Sequence, residues 1–74
     1  MESLEQLSAA FGDKLRTVRL SKGIQQEKLA WIAGIDRSYV GKIERGETKI
    51  TLEKAYMLAR ALECNIADLL PFPR

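Results

Sequence analysis

Ala30 and Gly34 stand four residues apart, followed by apolar residues at Ile35, Val40 and Ile43, and this spacing leaves the chain few ways to fold. A small residue such as Ala30 is needed where two helices cross so closely that a larger side chain would clash. Four residues later the chain must turn sharply, and glycine alone adopts a positive φ without steric cost. Ile35, Val40 and Ile43 then wedge a second helix against the first. Small residue, turn glycine and apolar wedge at these offsets, between Gln26 and Arg45, read as a helix-turn-helix at about 25–45.

The flanking segments are also helical in period. Leu4, Leu7, Phe11, Leu15 and Val18 step by three or four residues and form one stripe. Ser3 with Gln6 offers a capping box at the start, and Lys22-Gly23 supplies the cation and glycine that end the helix. The next helix is expected from Gln25 to Ala33, burying Leu29 and either Ile32 or Ala33. Asp36 caps the one after it, which ends near Arg45-Gly46. Thr51 caps a fourth, with Leu52, Ala55, Leu58 or Ala59, and Leu62 inward. Asn65 caps a short fifth at about 65–70 carrying Ile66, Leu69 and Leu70, which Pro71 terminates. No segment alternates with period two, so the expected fold is all-α, five helices in a single domain over residues 1–74.

Composition removes whole classes of function. The 74 residues contain no histidine and one cysteine, Cys64, so the commonest general base is missing and a structural zinc site cannot be built. No pair of carboxylates stands out in an apolar setting. No catalytic residue, metal or cofactor is therefore expected, and the chain reads as no enzyme. It has no apolar run of the length a membrane span needs and no secretory leader, and its lone thiol suits a reducing compartment. A cytoplasmic protein away from membranes is expected.

Net charge is only +2, but it is unevenly spread. From Lys14 to Lys49 nine basic residues face four acidic ones, whereas the remainder holds three basic and six acidic. A basic middle between acidic ends points to one face turned toward a polyanion.

The segments FGDKLRTVRLSKG (Phe11 to Gly23), QQEKLAWIAGIDRSYVGKIERGE (Gln25 to Glu47) and LEKAYMLARALECNIADLL (Leu52 to Leu70) resemble the lambda-repressor-like, Cro/CI-type helix-turn-helix proteins, the XRE family. Within it, DRSYVGKIERGETKI resembles the controller proteins of restriction-modification systems. The resemblance departs at Gln25, where the family usually caps the second helix with Ser or Thr, and at Trp31, usually a polar exposed position. Trp31 is expected to lie partly covered against neighbouring side chains, with a protein or DNA contact as alternatives.

The resemblance implies a sequence-specific regulator that binds double-stranded operator DNA as a homodimer. A helix fits the major groove with its N-terminal side chains at the base edges, so Arg37, Ser38, Gly41 and Lys42 are the expected base readers. Arg37 has a fork that matches guanine O6 and N7, and Gly41 would admit close approach of the backbone. Gln26, Tyr39, Arg45, Thr48 and Lys49 match positions that grip phosphates. Arg19 and Glu44 match a pair that ties the first helix to the end of the recognition helix. Ile66, Leu69, Leu70 and Phe72 are the expected dimer seam, with Leu69 alternatively a core residue. Glu27 matches an acidic contact for the RNA polymerase sigma factor, or simply complements the helix dipole. Autoregulation of the protein's own operon, activating and then repressing, follows from the same resemblance. A phage Cro-like repressor and an antitoxin-type protein-interaction module are the alternative readings.

Overall fold

The computed structural model describes residues 6–71, and among these every regular element is helical. Four α-helices follow in order: α1 (Leu7–Ser21), α2 (Gln26–Ala33), α3 (Arg37–Glu44) and α4 (Leu52–Leu62), with a 3₁₀ segment at Ile66–Leu69. Helix α1 packs on α3 and the 3₁₀ segment, while α2 packs on α3 and α4.

The caps show why the chain breaks where it does. Asp36 Oδ1 accepts from the Ser38 N–H at 3.1 Å, and Thr51 Oγ1 accepts from the Lys54 N–H at 3.1 Å. Each satisfies one of the free donors in a helical first turn. At α2 the N-cap Gln25 makes no side-chain cap bond. Helix α1 likewise starts without one at Gln6, and Ser3 and Leu4 lie outside the described residues. Between α2 and α3, Gly34 takes φ +75°, the Gly34 N–H bonds to Trp31 O and the Ile35 N–H to Ala30 O. These are the two bonds of a Schellman turn, and they swing the chain into α3.

The core is Phe11, Leu15, Leu29, Ala30, Val40, Ile43, Ala55, Leu58, Ala59, Leu62 and Leu69, with Val18, Ala33, Ile35, Tyr39 and Ile66 packed against it. Three expectations fail. Leu52 is 73% exposed, because the first turn of α4 projects past the core that its later residues reach. Trp31 is 78% exposed rather than covered, since it lies on the opposite side of α2 from Leu29. The fifth α-helix is instead a single 3₁₀ turn, held by a capping box between Asn65 and Asp68. Four residues before Leu70 and Pro71 are too few to propagate i→i−4 bonds.

Gly12 marks the closest approach in the fold. A Cβ there would meet Glu44 O at 2.7 Å and collide with Ile43 O, so α1 crosses the last turn of α3 backbone to backbone. Backbone oxygens at a helix end cannot step aside as a side chain can. Gly12→Ala is therefore expected to lower stability by about 1–3 kcal/mol by overpacking, outweighing the roughly 1 kcal/mol that alanine gains in helix propensity. A thermal melt checks this; a raised melting temperature would show that the crossing can relax.

Candidate nucleic-acid interface

Helix α3 is positioned from both ends. At its start the Asp36 cap and the Schellman turn leave Arg37 and Ser38 exposed on the first turn, with Lys42 exposed one turn on. At its end Glu44 is 7% exposed and its carboxylate accepts three hydrogen bonds. Arg19 Nε donates to Oε2 at 2.6 Å, an Arg19 terminal nitrogen donates to Oε1 at 3.0 Å, and Gln26 Nε2 donates to Oε1 at 3.0 Å. The remaining terminal nitrogen of Arg19, itself 7% exposed, donates to Ile24 O at 2.8 Å. The Arg19–Glu44 pair thus links α1, the α1–α2 loop, α2 and α3. The bidentate pairing is the strong form of a charge-assisted bond, and no buried side-chain nitrogen or oxygen among the described residues lacks a partner.

Between the start of α2 and the outer face of α3 runs an open groove of about 510 Å³ lined by Gln26, Asp36, Arg37, Ser38, Gly41, Lys42 and Arg45. Arg37, Ser38 and Lys42 therefore share one exposed face. Gly41 lies on it too but is buried, since the Arg45 guanidinium covers it: a Cβ on Gly41 would sit 3.0 Å from an Arg45 terminal nitrogen. The guanidinium that lies over the Gly41 backbone belongs to a side chain that is itself exposed. Gln26 is half-buried with its amide committed to Glu44. Tyr39 is half-buried against the core, Thr48 is half-buried, and Arg45 and Lys49 are exposed. Glu27 is exposed on the first turn of α2.

The expected seam divides. Leu69 is fully buried within the protomer, because the 3₁₀ turn points it into the core, so it is a core residue. Ile66 is half-buried, Leu70 is 46% exposed, and Phe72 lies outside the described residues. Sequence reasoning overlooked Gly12 and the Gln26–Glu44 bond. Glycine in mid-helix was a signal for the first; nothing local marks the second.

No group of three or more His, Cys, Asp or Glu among the described residues could hold a metal, and no described helix is long and apolar enough to cross a membrane. Burial pushes the Cys64 thiol up from its ordinary range, with Asp68 adding to the effect, so it stays protonated and a poor nucleophile. A roomier groove of about 720 Å³ lies beside the α1–α2 loop and the end of α4, lined by Lys22, Ile24, Lys28, Ile32 and Glu63 among others.

An exposed, capped α3 carrying Arg37 at its leading end and Lys42 in its last turn, clamped from behind by a buried ion pair, defines a helix-turn-helix DNA-binding protein. The helix-turn-helix family model HTH_3 matches residues 15–69. The control protein C.BamHI of Bacillus amyloliquefaciens is 41% identical over 63 residues, covering 84% of this chain and 78% of that protein. C.SmaI of Serratia marcescens is 38% identical, covering 78% and 69%. The restriction-modification controller protein C.AhdI of Aeromonas hydrophila superposes with a TM-score of 0.81 at 44% identity, covering 84% of this chain and 94% of that one. C.Esp1396I, solved as a tetramer with its natural 35 base-pair operator, superposes at 0.80 with 28% identity, covering 92% and 87%. The chain belongs to the helix-turn-helix family of DNA-binding transcription regulators, within it to the restriction-modification controller proteins, and is not an enzyme.

Proposed function

We propose that the protein binds the promoter DNA of its own restriction-modification operon as a homodimer in the cytoplasm, first activating and at higher occupancy repressing. The observation that carries this is the groove face of α3, where Arg37, Ser38 and Lys42 stand exposed together behind a fixed N-terminal cap. A helix of this size enters the major groove, and a guanidinium at its tip donates two bonds to guanine O6 and N7. Ser38 and Lys42 follow on the same side. Gln26 lines the same groove, and with Tyr39, Thr48 and Lys49 it positions the protein on phosphates; at Gln26 the free N–H groups of the first turn of α2 favour an anion.

Two copies are needed because one helix reads too few base pairs for a selective site, and a two-fold pair places its recognition helices about 34 Å apart in successive major grooves. Ile66 and Leu70, with Phe72 beyond the described residues, supply the apolar seam. Sedimentation at micromolar protein should give a dimer that Leu70→Asp converts to monomer; a monomeric native protein would rule this seam out. Exposed Glu27 is the contact offered to the RNA polymerase sigma factor during activation.

The test is binding to the duplex upstream of the gene. Specific complexes should form at roughly 10⁻⁸ M or below, with random duplex requiring about 10³-fold more protein or higher. Equal affinity for both would favour a protein-interaction module instead.

A further inference from the structure

The sequence places Arg45 among residues that grip phosphate, but its setting is different. Its guanidinium lies across Gly41, one helical turn back, with the central carbon and both terminal nitrogens 3.0–3.7 Å from where a Gly41 Cβ would be. Arg45 thereby lines the same groove as Arg37, Ser38 and Lys42. Its Nε donates to Glu47 Oε2 at 3.0 Å, although both side chains are more than half exposed.

Glu47 is not placed at random. Gly46 takes φ +73°, its N–H bonds to Ile43 O, and the Glu47 N–H bonds to Lys42 O at 2.9 Å, closing a second Schellman turn. The backbone of Ala9 presses against Gly46, 2.7 Å from where a Cβ would be, so α1 buttresses that turn. The hydrogen bond from Arg45, with the Lys42 charge adding to it, holds the Glu47 carboxyl below its ordinary range and keeps it ionised. A carboxylate beside a DNA-facing surface repels phosphate, which makes it a poor feature for affinity alone.

We infer that Arg45 reads a base edge in the major groove, and that Glu47 is the positioning residue that aims it across Gly41. With Nε held by Glu47, the two terminal nitrogens are left to donate, and they form the edge that matches guanine O6 and N7. Gly41 serves this by having no side chain where the guanidinium lies. The inference rests on the DNA-reading role proposed for α3 and transfers Arg45 from the phosphate-gripping set to the base-reading one.

The experiment selects a randomised duplex pool with the native protein, Arg37→Ala, Arg45→Lys, Glu47→Ala and Glu47→Gln, and sequences what each retains. Arg45→Lys and Glu47→Ala should both lose about tenfold discrimination at one shared base pair, different from the one lost in Arg37→Ala. Glu47→Ala should meanwhile hold or increase its affinity for random duplex, since a negative charge has gone. Glu47→Gln, which keeps an oxygen acceptor, should restore part of the lost preference. A peaked native profile that Glu47→Ala leaves unchanged would overturn the inference. So would an Arg45→Lys protein weakened equally on every sequence. A flat native profile would overturn the base-reading role of α3 itself, and this inference with it.

Discussion

Replacing Glu44 with alanine is expected to destabilise the protein by about 3–5 kcal/mol, the range for breaking one half of a buried ion pair. Arg19 is 7% exposed, and without the carboxylate two of its three side-chain hydrogen bonds disappear while the charge stays inside. Gln26 Nε2 loses its acceptor as well. A chain of 74 residues has a total stability of about 4–11 kcal/mol at the usual per-residue range, so this single change approaches the whole. A melting curve of Glu44→Ala should shift far downward; an unchanged melt would mean that solvent reaches Arg19.

The pair's contribution need not be stability as such. Replacing both members with apolar residues of similar volume often leaves stability unchanged, because the desolvation cost disappears with the attraction. The double variant Arg19→Met with Glu44→Leu should therefore recover most of the lost stability. It should still bind operator more weakly than the native protein, because the bidentate geometry that fixes the end of α3 relative to α1 has gone. Native affinity in a well-folded double variant would remove the orienting role.

Operator binding should fall about 10³-fold or more between 50 and 200 mM salt if a dimer engages about six or more phosphates. Nine basic residues lie between Lys14 and Lys49, but they are not equivalent. Arg19 is buried and paired, Arg45 is bridged to Glu47, and Arg37 and Lys42 face the bases, so the slope depends on the other exposed cations, Lys14, Arg16, Lys22, Lys28 and Lys49. Doubled across two protomers, three of these at phosphates give the steep dependence. A slope corresponding to one or two phosphates would not fit binding by this face.

The helix-turn-helix was legible because its determinants are local: Ala30, Gly34, Ile35, Val40 and Ile43 fix a crossing and a turn within one short stretch. Arg37, Ser38 and Lys42 followed from helical spacing once Asp36 was read as the cap. What the sequence hid is mostly long-range. Gly12 in mid-helix looks like a propensity penalty until the last turn of α3 is seen lying against it. The Gln26–Glu44 bond joins residues 18 apart with no pattern between them. Leu69 and Leu70 are neighbours of like chemistry, and only the 3₁₀ geometry decides that one enters the core while the other remains half-exposed. Trp31 was expected to be partly covered, but its side of α2 provides no cover. At Gly41 the Arg45 guanidinium lies against the backbone, a contact that no spacing in the sequence marks.

The most direct measurement compares native protein and Arg37→Ala on the selected operator and on duplexes changed one base pair at a time. With the Arg37 fork reading guanine, the native protein should discriminate by about 1–3 kcal/mol at one G·C pair, and Arg37→Ala should lose that preference while retaining those at other positions. Identical profiles from the two proteins would contradict base reading by the leading turn of α3.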